Sequence, residues 1–84
     1  SIHDFARCYV AQDFAAARGL IEETRLGDKS ELARMRELAP TFGPCMPQGS
    51  QIALKPMNIR MALAEALYHA TRNPGAARLP GQSD

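Results

Sequence analysis

The sequence has no tryptophan and only five aromatic residues: Phe5, Phe14, Phe42, Tyr9 and Tyr68. Without large rings to fill a core, an 84-residue chain must build it from Leu, Ile, Ala and Met. That composition favours helices over sheets. Cysteine is equally scarce, and the pair Cys8 and Cys45 cannot make a disulfide framework. No basic, apolar, small-residue leader precedes them, so both are expected to be thiols in a reducing, cytoplasmic compartment. No run approaches the ~18 apolar residues of a membrane helix, so no span is expected. Net charge is also nearly absent at +1. Residues 1–42 carry six basic and seven acidic groups, and residues 43–84 four and two. A strongly polyanion-seeking surface is thereby disfavoured.

What is present is organised around Lys55 to Arg72. At 100° per residue, Asn58, Glu65, His69 and Arg72 share one polar stripe. Met57, Ile59, Met61, Leu63, Leu67, Tyr68 and the alanines fill nearly everything else, which predicts a core helix that the remaining chain wraps. Pro56 suits its first position, and Asn73-Pro74-Gly75 ends it. Ahead of it, Ser1-Ile2-His3-Asp4 reads as a capping box opening a helix that runs to about Leu26. Gly19 is the expected weak point of that helix, since glycine costs about 1 kcal/mol against alanine in a helix interior. Gly27 supplies a left-handed stop, and Asp28 caps a shorter helix, with Glu31 reaching back and Pro40 ending it.

Pro40, Gly43, Pro44, Pro47 and Gly49 then break any helical pattern. Residues 40–55 are expected as a long irregular loop bearing Phe42, Cys45 and Met46, with residues 51–54 as a short extended piece. The predicted architecture is an all-α, small three-helix domain over residues 1–75, with this Pro/Gly-rich loop between helices 2 and 3. Residues 76–84 are expected to form a flexible C-terminal tail.

Chemistry-bearing residues are few. His3, Cys8, Cys45 and His69 could supply a zinc site, but their separations lack the close pairs such sites use. Glu65 and His69 stand one turn apart without a neighbouring nucleophile or oxyanion group, which reads as a surface pair rather than an acid/base dyad. Cys8 has no base beside it to make it a nucleophile. A helix-turn-helix sketched from Ser30 onwards fails, because the next expected helix lies sixteen residues away. No catalytic residue, metal or cofactor is therefore assigned.

The function expected is a non-enzymatic protein-binding module: a regulator, adaptor or inhibitor docking on a larger protein or complex. The expected partner-binding residues are Phe42 and Met46, as apolar groups on a loop, and the basic set Arg60, Arg72 and Arg78. Arg60 stands out because it projects into an apolar arc, where it would snorkel, pair with an acid such as Asp13, or meet a partner. The alternative is a nucleic-acid-binding or ribonucleoprotein-associated accessory protein using the C-terminal basic residues.

Overall fold

Ser1 opens the chain with the anticipated capping box: its hydroxyl accepts from the Asp4 amide, and the Asp4 carboxylate returns to Ser1. A computed structural model of the chain describes residues 1–46 and 55–72. Among these residues the structure is all-α, with no strand. The four helices are α1 (Ile2–Gln12), α2 (Phe14–Glu23), α3 (Lys29–Leu38) and α4 (Pro56–Arg72). Two 3₁₀ turns, Ala39–Thr41 and Gly43–Cys45, follow α3.

Four helices replace the three expected because the first segment breaks at Asp13, not at Gly19. Asp13 has φ −149° and ψ 78°, its N–H still donates to the Tyr9 carbonyl, and its carboxylate caps the next helix by accepting from the Ala16 amide at 3.0 Å. An aspartate stranded on an apolar helical face becomes, after the break, a satisfied N-cap. Gly19 stays inside α2, on the side that faces α3. A Cβ there would lie 3.0 Å from Arg34 Nη1, whose guanidinium crosses from α3 to reach Glu23 at 2.9 Å.

The corner between α2 and α3 uses Gly27 at φ +77°, the left-handed region where a side chain is costly. Helix α2 itself ends earlier, at Glu23 with Thr24 as C-cap, so Gly27 turns the linker and does not cap the helix. Asp28 then caps α3, accepting from the Ser30 amide at 3.0 Å, and Glu31 accepts from the Gly27 N–H at 3.3 Å.

Helix α4 lies against α1 along most of its length and against α2 beside it, with a lighter contact to α3. Phe5, Tyr9 and Val10 of α1, Ala17 and Leu20 of α2, and Leu63 of α4 are all but inaccessible and form the centre. The expectation that α4 is wrapped on all sides is corrected. Ile59, Ala62, Leu63, Ala66, Leu67 and Ala70 are buried, but Met57, Met61 and Tyr68 are exposed. Three short helices cannot cover the full circumference of a 17-residue one.

The expected irregular loop is ordered as far as it is described. Proline as the second residue of each 3₁₀ turn, where the amide has no partner within the turn, forfeits no needed hydrogen bond, so prolines that exclude an α-helix permit these tight turns. The amides of Phe42, Cys45 and Met46 donate to the carbonyls of Ala39, Phe42 and Gly43. The two cysteines are not thiols: Cys8 of α1 and Cys45 are joined in a disulfide, with Cα atoms 5.6 Å apart, inside the usual range for the bond. The argument from free thiols for a reducing compartment falls with it. The expected extended piece at residues 51–54 and the tail at 76–84 lie outside the described residues.

Candidate functional site

Of the five residues singled out for partner binding, the structure places two in the interior. Phe42 is 5% exposed and sits edge-on against both Phe5 and Tyr9, with centroid separations of 5.1 and 5.0 Å. The loop presents this ring inward because T-shaped contacts with two rings satisfy both its apolar surface and its quadrupole. The expectation of an exposed Phe42 is thus corrected. Met46 is half-buried against the same core.

Arg60 is the second residue drawn inward, its side chain 14% exposed. Its Nη1 donates to Glu31 at 3.2 Å and to Thr24 Oγ1 at 2.8 Å, and its Nη2 donates to the carbonyls of Ile21 and Thr24 at 3.1 and 2.9 Å. The Thr24 hydroxyl can accept from Arg60 because its own proton goes to the Leu20 carbonyl. One guanidinium therefore satisfies the C-terminal end of α2, complements its dipole, and neutralises the buried carboxylate of α3. Asp13, named as one acid Arg60 could pair with, is occupied as an N-cap.

Arg72 remains at the surface, with its Cζ 5.2 Å from the centre of the Tyr68 ring, in cation–π geometry. No carboxylate pairs with it among the described residues. Arg78 lies outside the described residues. Glu65 and His69 are exposed, 3.9 Å apart, as the surface-pair reading anticipates. The two sulfurs considered for zinc or nucleophilic chemistry are consumed by their mutual bond.

The feature that sequence reasoning missed lies between α2 and α4. An open groove of about 410 Å³ is lined by Phe14, Ile21, Leu67 and Tyr68, with Arg18, Glu22, Ala64 and Thr71 at its edges. Met57 and Met61 extend the apolar surface along α4; they are 56% and 63% exposed, and Tyr68 is 56% exposed. Positions 57, 61, 64 and 68 recur at intervals of four, three and four, so they form one stripe of roughly 16 Å along the helix. Its electrostatics are simple. Arg18 is closed on Glu22, Nε to Oε2 at 2.8 Å, which raises the arginine's pKa chiefly through that hydrogen bond. Thr71 turns its hydroxyl onto the Tyr68 carbonyl at 2.9 Å. Arg72, by contrast, ends the stripe with a positive charge that no carboxylate among the described residues pairs.

A signal for this groove was present in the sequence. Residues 55–72 hold more apolar circumference than the other described helices cover, and the uncovered part is the methionine and tyrosine stripe. Comparison of the chain with known protein families, curated proteins and solved structures finds no match to any of them.

Proposed function

We propose that the chain is a small non-enzymatic protein-binding module, a regulator, adaptor or inhibitor, that receives an amphipathic helix of a larger protein in the groove between α2 and α4. The observation that carries this reading is the exposure of Met57, Met61 and Tyr68 on the same helix whose opposite side forms the core. With Ala64 between Met61 and Tyr68 the spacing is four-three-four, the seam spacing of paired helices, which fits an occupant with apolar residues repeating at the same interval. Methionine adapts its shape to a partner, and tyrosine offers a large rigid contact with a polar tip. Charge complementarity narrows the occupant. With Arg18 already closed on Glu22, the charge at the end of the stripe that has no carboxylate partner among the described residues is Arg72, which calls for a carboxylate at one end of the incoming apolar face. A non-enzymatic role is supported by the polar groups lining the groove, an ion pair closed on itself and a hydroxyl bonded to backbone.

The nucleic-acid alternative has less beneath it. Arg60 is occupied internally, leaving Arg72 as the described member of the basic set.

The test begins with a photo-crosslinker at position 61 in an extract of the native source. The captured segment is then synthesised and titrated against the purified protein. Saturable binding with a gain of helical circular dichroism is expected, weakened at least tenfold by Met61→Glu and by Tyr68→Ala, because central apolar anchors dominate interfaces. Arg72→Ala should act mainly on the association rate and its salt dependence. Crosslinking of one copy to another, with concentration-dependent doubling of mass, would make the occupant a second copy and overturn the proposal. Nuclease-sensitive capture with a steep salt dependence would favour nucleic acid.

A further inference from the structure

The 3₁₀ segment Ala39–Cys45 is held onto α1 by a small number of contacts, one of which can be cut chemically. Its internal hydrogen bonds are all local, from Phe42, Cys45 and Met46 to carbonyls three residues back, and turns this short do not persist by themselves. Four links anchor it to α1. Phe42 inserts between Phe5 and Tyr9. Tyr9 donates its phenolic proton to Thr41 Oγ1 at 2.7 Å, a direction set by the Thr41 hydroxyl's own bond to the Leu38 carbonyl at 2.6 Å. Gln12 Nε2 donates to the Thr41 carbonyl at 3.0 Å. The fourth link is the Cys8–Cys45 disulfide. By contrast, α4 packs on α1 and α2, and Arg60 ties α4 to the α2–α3 corner, without any part played by the 3₁₀ segment.

We propose that the Cys8–Cys45 bond is a redox latch: oxidised, it locks residues 39–46 over the Phe5–Tyr9 end of the core, and reduced, it lets that segment open while the four-helix framework remains folded. The set state belongs to an oxidising compartment, where such bonds form and persist. Release is thiol–disulfide exchange with a dithiol reductant. A thiolate of the dithiol attacks the Cys8 sulfur, Cys8 being the more accessible of the two residues, and the Sγ–Sγ bond breaks with Cys45 leaving as a thiolate. The reductant's second sulfur then closes on its first and expels Cys8. Two electrons pass from the dithiol, which becomes a disulfide, and Cys8 and Cys45 each take up a proton. The consequence is exposure of Phe42 and of the aromatic faces of Phe5 and Tyr9, an apolar surface separate from the α2–α4 groove.

The experiment is backbone hydrogen exchange on the whole chain, oxidised and after treatment with dithiothreitol, beside a Cys8→Ser/Cys45→Ser double variant without reductant. These are the only two cysteines in the sequence, so the reductant has one target. Thiol titration of the untreated protein should find no free thiol; finding two would overturn the proposal. Reduction should speed exchange at the amides of Phe42, Cys45 and Met46 at least tenfold, leave Ile59 to Ala70 protected, and preserve the helical circular dichroism. The double variant should reproduce the reduced pattern. Unchanged exchange at residues 42–46 would show that the aromatic contacts hold the segment unaided. Loss of protection throughout α4 would show a staple of the whole fold. Either result sinks the latch.

Discussion

The guanidinium of Arg60 stands 3.2 Å from the carboxylate of Glu31, with the two side chains 14% and 4% exposed. This pair holds three helices at one corner, because the same guanidinium also bonds the Ile21 and Thr24 carbonyls at the end of α2. Each buried polar group depends on the others. Removing one partner strands a charge, whereas replacing both with uncharged groups strands much less. Arg60→Met should therefore destabilise by about 3–5 kcal/mol in urea unfolding. Arg60→Met combined with Glu31→Gln should recover a large part of that loss. A single-variant loss below about 1 kcal/mol would show that water reaches the pair and that it is not a structural tie.

Leu63 is fully enclosed where α4 meets the core. Truncation to alanine removes its transfer free energy and leaves a cavity that close-packed neighbours fill poorly, so Leu63→Ala should cost about 2–5 kcal/mol. Met61→Ala, two residues away on the exposed stripe, should cost less than about 0.5 kcal/mol, the usual bound for surface changes. Equal costs at the two positions would contradict the one-sided burial of α4.

Two glycines should respond with opposite sign. At Gly27, φ +77°, an added Cβ meets no atom within 4 Å, so the penalty of Gly27→Ala is purely backbone, about 1–2 kcal/mol. At Gly19 the gain in helix propensity approaches about 1 kcal/mol, set against a displaced Arg34 whose flexible side chain ends on an exposed Glu23 carboxylate, a link worth little. Gly19→Ala should raise the thermal midpoint and Gly27→Ala should lower it; the reverse order would refute both assignments.

The N-cap of α3 should carry a pH signature. Hydrogen bonds from the Ser30 amide, then from the Ser30 side chain, hold the Asp28 carboxyl below the ordinary aspartate value. A depressed folded-state pKa means that the contribution is complete above the unfolded value near pH 4 and is lost as pH falls through the folded one. Amide protection over Lys29 to Leu38, taken relative to unfolded-chain exchange at the same pH, should fall in that acid window. Asp28→Asn keeps a capping oxygen and should flatten the response. Asp4 behaves in the same sense, since the Arg7 guanidinium beside it lowers its carboxyl as the main cause. An α3 response that persists in Asp28→Asn would assign the effect to another group.

Local chemistry was legible in the sequence. The Ser1–Asp4 box, the Asp28 cap, the left-handed Gly27 and the buried alternation of Ile59, Leu63 and Ala70 are all written within a turn or two of chain, because caps and helical faces depend on residues three or four apart. The break at Asp13 is local too, but it hides in a pattern that also fits a continuous helix; an aspartate on an apolar face was its trace.

Tertiary structure alone decided the rest. Whether Cys8 and Cys45 bond depends on two Cα atoms coming within 5.6 Å across a separation of 37 residues, a distance that no spacing rule contains. Phe42 reads as an exposed loop residue until the 3₁₀ turns aim it at Phe5 and Tyr9. Arg60 reads as a misplaced cation until Glu31 and the end of α2 arrive around it. Met57, Met61 and Tyr68 read as core, because hydrophobic periodicity reports which residues can be buried and not how much covering surface the chain possesses. The described helices leave a stripe of α4 open on its α2 side, and that stripe is the candidate site.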